Sequence, residues 1–224
     1  MYKTTQQKIA MAGIMAALMA IAGFFPAIPL LGLGKVISVG VIIMPLMGIL
    51  LGPFVGGYAA LVGALIGETI APYGAVFGFF TFIPPALGAV NAGLLSHKKW
   101  KLSFLLLFSL TTLWYATDIG SELYYFPYLH LLALLMIIVF RERLSSLKEH
   151  LFLKTFVISF VSILTDHMAG NLIFILLYSP AKAAFSAILI QYSFERILMS
   201  LFSAIIVTGT LKTLKEVSIW RLKK

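Results

Sequence analysis

The chain has 224 residues, of which 61% are hydrophobic and only 11% charged, and it carries a formal net charge of +9. A soluble domain carries roughly 25% charged residues, so the composition excludes a water-soluble fold and makes lipid the solvent. At about 20 residues per span, about eight spans consume the chain and leave no room for a sizeable soluble domain. There are no cysteines, which excludes disulfides, thiolate metal sites and cysteine nucleophiles. The start, MYKTTQQKIAMAG, has no small-residue cleavage site after a short apolar core, so the first apolar segment reads as a retained span.

Eight apolar segments follow in order, at about residues 9–25, 37–51, 54–71, 75–95, 102–117, 128–140, 152–178 and 184–211. Each is expected to be helical, because lipid offers no partner to a free backbone amide. The second and third are joined only by Gly52-Pro53, and glycines recur at fourth-residue spacing as Gly52/Gly56 and Gly63/Gly67. The fourth carries Pro84-Pro85, which removes two backbone donors and predicts a kink. The fifth and sixth are short for full spans.

All but Lys35, Lys182 and Arg196 of the seventeen basic residues fall on one side of this path. The positive-inside rule makes that side cytoplasmic, with both termini there and an even number of spans. The basic residues are thus topological markers, and nucleic acid is excluded as a partner. The acidic residues divide the other way. Glu68, Asp118, Glu122, Asp166 and Glu195 lie within spans or outside.

At about 1.5 Å per residue along a helix, Glu68 comes close to the outer end of the third segment. Asp166, His167 and Asn171 fall in the middle and outer half of the seventh. Gln191, Glu195 and Arg196 take corresponding depths in the eighth. Asn91 adds an amide in the fourth, and the outer link between the fifth and sixth adds Trp114, Asp118, Glu122, Tyr124, Tyr125 and His130. An ionisable group at the membrane centre costs at least about 2.5–3.5 kcal/mol to insert, so this layer reads as a ligand site. The alternative is a set of interhelical ion pairs, such as Arg196 with Asp166 or Glu195. The tyrosines Tyr124, Tyr125 and Tyr128 fit an interfacial belt as well as ligand contact, and His130 alone reads as a satisfied polar group. Asp166 and His167 point about 100° apart on a helix, and no HExxH, paired-carboxylate or Ser-elbow motif accompanies them. No enzymatic activity, cofactor or metal is therefore expected.

The first segment carries a small-residue stripe, Ala12/Ala16/Ala20, with Gly13 and Ala17 beside it. Small residues let helices approach closely in lipid, either within the chain or against a partner. Four features then follow in order. A long outer loop, FPAIPLLGLGKVIS, precedes the block Leu51-Gly52-Pro53-Phe54-Val55-Gly56 and a Gly/Ala-rich third span. An outer loop with Pro72, Tyr73 and Gly74 comes next, before the Pro-broken fourth span. Over residues 8–96 this pattern resembles the substrate-binding S components of energy-coupling factor (ECF) transporters.

The resemblance implies an all-α integral membrane protein, a polytopic helical bundle with a six-helix S-component-like core and up to eight apolar segments, forming one transmembrane domain over residues 1–224 of the plasma membrane. It implies capture of a vitamin-like small molecule in an outer-half pocket. It further implies docking of Ala12, Ala16 and Ala20 on a membrane coupling subunit driven by separate ATPases. Lys35 lies in the capping loop. With Tyr73, Asn91 and Trp114 it joins Glu68, Asp166, His167, Asn171, Gln191, Glu195 and Arg196 as an expected ligand contact. A stand-alone proton-coupled carrier and, further off, an intramembrane enzyme are the alternatives on the same carboxylates. No His-rich start of the kind that marks nickel or cobalt members is present, which argues against a metal substrate.

Overall fold

A computed structural model describes residues 4–30, 35–71, 75–142 and 150–222. The eight expected segments all form helices, and five helical stretches are long and apolar enough to cross a membrane. Helix α1 covers Thr5–Gly23, its first turn capped by the Thr4 hydroxyl accepting from the Gln7 amide. A short antiparallel hairpin follows, β1 Pro26–Leu30 with β2 Lys35–Ser38, where the sequence suggests only a loop. Pairing its own strands satisfies backbone groups that a coil at this depth would leave open.

Helices α2 (Gly40–Leu51) and α3 (Pro53–Ile70) are joined at Gly52, whose φ of +83° suits glycine. Pro53 opens α3, where its missing amide hydrogen costs nothing. Helix α4 (Ile83–Ser96) is preceded by a 3-10 turn, Gly78–Phe82. Pro84 and Pro85 therefore begin the α-helix instead of kinking its middle. The same tolerance of the first turn accounts for this departure from the expected kink. Helices α5 (Trp100–Tyr115), α6 (Asp118–Glu122) and α7 (Tyr128–Phe140) follow, α5 packing against α7 with the short α6 in the link between them. Helix α8 (Leu151–Tyr178) is buried along most of its length, and α9 (Lys182–Leu222) packs against it.

Glycine sets the spacing of the first four helices. A Cβ on Gly48 of α2 would stand 2.1 Å from the Ala89 carbonyl oxygen of α4. One on Gly56 would meet the Met47 carbonyl at 2.6 Å, and one on Gly93 would meet Pro53 at 2.5 Å. The alanine stripe of α1 belongs to this contact system. Ala16 and Ala20 are buried, and Gly63 and Gly67 of α3 lie against their backbones. Two of the three stripe residues expected to dock a partner thus seal α1 to α3. In lipid the backbone-to-backbone contact that small residues allow is itself the stabilising interaction. On the outward face Gly13 and Ala17 are exposed, and a Cβ on Gly13 would meet nothing within 4 Å.

Candidate ligand-binding cavity

A cavity of about 560 Å³ opens at the end of the bundle opposite the Gly52–Pro53 turn. The ends of α1 and α3, the start of α2, the 3-10 turn with the first turn of α4, the outer half of α8 and the start of α9 converge on it. Its size falls in the range of small-molecule sites.

One wall is polar. Asp166, His167 and Asn171 come from α8, Gln191, Glu195 and Arg196 from α9, and Glu68 from the end of α3. On α8, Asp166 and Asn171 lie either side of His167, and the helix still brings all three to one cavity. Arg196 Nη1 stands 3.6 Å from Asp166 Oδ2, with both side chains buried. Gln191 Nε2 donates to Glu195 Oε1 one turn along α9. Asn171 Nδ2 donates to His167 Nε2 at 3.4 Å, and His167 Nδ1 lies 3.3 Å from His130 Nε2. The polar wall is therefore cross-linked within itself; Arg196 Nε has no hydrogen-bond partner, and Nη1 has only its ion pair with Asp166.

The rest of the lining is apolar and aromatic: Phe77, Phe174, Phe185 and Tyr192, with Pro84, Pro85, Met19 and Ile188; Tyr192 stacks on His167 with ring centroids 4.7 Å apart. Sequence reasoning passed over Phe77, Phe174 and Phe185, because a phenylalanine in a span looks the same whether it faces lipid or a ligand. Tyr192 shares a face with Arg196 one turn on, and that spacing was the available signal.

Two expected contacts do not reach the cavity. Trp114 is fully buried behind it, stacked on Phe126 with ring centroids 4.9 Å apart and edge-on to Phe185 at 5.1 Å. It supports the lining from behind, through its contacts with Phe126 and Phe185. Asn91 is fully buried and donates from Nδ2 to the Thr165 hydroxyl at 2.6 Å, tying α4 to α8. Lys35 is placed by its backbone, opposite Leu30 in the hairpin, and Tyr73 lies outside the described residues. Of the outer polar residues, Glu122 pairs with Lys182, joining α6 to α9. Tyr124, Tyr125 and Tyr128 are exposed, and Tyr128 donates to the Ser193 hydroxyl at 2.6 Å. Among the described residues no group of three or more His, Cys, Asp or Glu side chains converges as a metal site.

A family model described as "ECF-type riboflavin transporter, S component" matches residues 3–119. The chain is also 37% identical over 166 residues to an uncharacterized protein of Methanocaldococcus jannaschii, a match that takes in 71% of this chain and 56% of the relative. The chain thus spans little more than half the length of that curated relative. No solved structure matches the chain. Polytopic helices, an outer-end cavity and a family match over half the sequence agree, and the chain belongs to the S components of ECF-type riboflavin transporters.

Proposed function

We propose that this protein captures riboflavin from outside the plasma membrane and presents it to an ECF module for uptake. The observation that carries the reading is the mixed lining of the cavity. The aromatic side chains Phe77, Phe174, Phe185 and Tyr192 line the same cavity as three carboxyl groups and one guanidinium. A planar aromatic ring system gains contact area and stacking from the aromatic side chains. A chain of hydroxyls suits the polar groups, because Glu68, Asp166 and Glu195 are acceptors for O–H and N–H donors. A neutral flavin with a hydroxylated side chain meets both.

Family membership supports the rest of the reading. Docking on a membrane coupling subunit falls to the outward face of α1, where Gly13 and Ala17 are exposed, in place of the buried Ala16 and Ala20. Separate ATPase subunits supply the energy, and the chain itself performs no chemistry on its ligand.

Titration of flavin fluorescence with the purified protein in detergent tests the substrate. Saturable quenching by riboflavin, not competed by an anionic vitamin such as biotin, is expected. Absence of saturable quenching at micromolar protein overturns the assignment.

A further inference from the structure

His130 sits on α7, is fully buried, and does not line the cavity. It lies outside the residues matched by the family model. A histidine placed fully out of water needs a partner; its Nε2 meets His167, while its Nδ1 makes no hydrogen bond. The two rings stack with centroids 5.3 Å apart and planes 16° apart, and His167 in turn stacks on Tyr192 at 4.7 Å. Tyr192 is held from the same direction, its hydroxyl donating to the Phe126 carbonyl. Two cavity-lining side chains are thus held by groups from α7 and the segment that precedes it.

The hydrogen bonds run in one direction. Asn171 Nδ2 donates to His167 Nε2, so that nitrogen supplies a lone pair. A neutral imidazole has one donor and one acceptor nitrogen, so His167 carries its proton on Nδ1. Nδ1–H then donates to His130 Nε2, at 3.3 Å. His130 accepts there and keeps its own proton on Nδ1. The consequence reaches the cavity through Asn171. With its amide nitrogen committed to His167, Asn171 offers the ligand its carbonyl oxygen, an acceptor.

We infer that His130 is a positioning residue for ligand binding, fixing the tautomer of His167 and through it the orientation of the Asn171 amide, so that the cavity presents an acceptor at this point to a ligand N–H or O–H donor. The inference rests on the riboflavin reading only for the choice of ligand in the binding assay. Without an acceptor at His130, His167 loses the partner that holds its proton on Nδ1. The Asn171 amide is then free to turn over and present a donor instead.

Two measurements on the full chain test this. The first needs no ligand. In 15N-histidine NMR spectra of the detergent-solubilised protein, His167 is expected as the Nδ1–H tautomer in wild type and as a mixture, or the Nε2–H tautomer, in His130→Phe. His130→Gln, whose side-chain amide can accept near the place of Nε2, is expected to restore the wild-type pattern. Nε2–H on His167 in the wild type, or a pattern unmoved by His130→Phe, overturns the inference. The second is riboflavin titration. His130→Phe is expected to weaken binding about tenfold, the scale of one unmade buried hydrogen bond, with His130→Gln close to wild type. In an Asn171→Ala background, His130→Phe is expected to add no further loss, because its effect passes through Asn171. Additive losses overturn the inference. Failure of the wild type to bind riboflavin overturns the substrate assignment instead, and the NMR result then decides the role of His130.

Discussion

At the scale of single residues, the two kinds of small residue in this chain behave oppositely. Gly48 has backbone from α4 within 2.1 Å of where a Cβ would sit, whereas Gly13 has nothing within 4 Å. Gly48→Ala must push α2 away from α4 and is expected to destabilise the protein by about 1–3 kcal/mol, the range for overpacking a tight interior. Gly13→Ala is expected to leave stability unchanged or raise it by up to about 1 kcal/mol, the gain in helix propensity. Thermal unfolding in detergent distinguishes the two. The Arg196–Asp166 pair gives a second residue-scale expectation. Arg196→Met leaves a buried carboxylate alone and is expected to cost about 3–5 kcal/mol, and adding Asp166→Leu is expected to recover much of that loss, because the uncompensated charge is then gone. The same unfolding assay reads this cycle, and a double variant as unstable as the single one would contradict it.

At the scale of elements, α1 has two small-residue faces with different duties. Ala16 and Ala20 close onto α3, and Gly13 and Ala17 face outward. Ala16→Leu is expected to lower the melting temperature of the isolated protein, because a larger side chain cannot sit against Gly63. Ala17→Leu is expected to leave the melt unchanged and to abolish pull-down of the coupling subunit. The reverse pattern would return the docking role to the Ala12/Ala16/Ala20 stripe. Much of this level was legible in the sequence. Hydropathy marked every α-helix among the described residues except the short α6, and the Gly52-Pro53 pair marked a tight turn. The rotation of α1 was not legible, because two adjacent small-residue stripes look alike until a neighbouring helix is packed against one of them. The burial of Trp114 was hidden for a similar reason. An aromatic near the end of a span fits the interface, a ligand or the core equally well, and only its packing against Phe126 and Phe185 decides among them.

At the scale of the whole molecule, one argument from cost found most of the site. Ionisable side chains are expensive in lipid, and Glu68, Asp166, His167, Glu195 and Arg196 were singled out on that ground alone. All five line one cavity. Asn91 was an expected contact too, but its amide nitrogen is taken up by Thr165 and it does not line the cavity. A polar residue's cost shows that it has a partner and not which partner. The phenylalanines Phe77, Phe174 and Phe185 carried no such cost and so left no mark in the sequence. The account's central claim is that the aromatic and polar groups of this cavity together bind a neutral flavin. Equilibrium titration of riboflavin fluorescence with the wild-type protein and with Tyr192→Ala tests it most directly. The account predicts saturable quenching by the wild type and binding weakened about tenfold or more in Tyr192→Ala, the scale of one lost aromatic stack together with its buried area. Unsaturable quenching by the wild type, or unchanged binding by Tyr192→Ala, would contradict it.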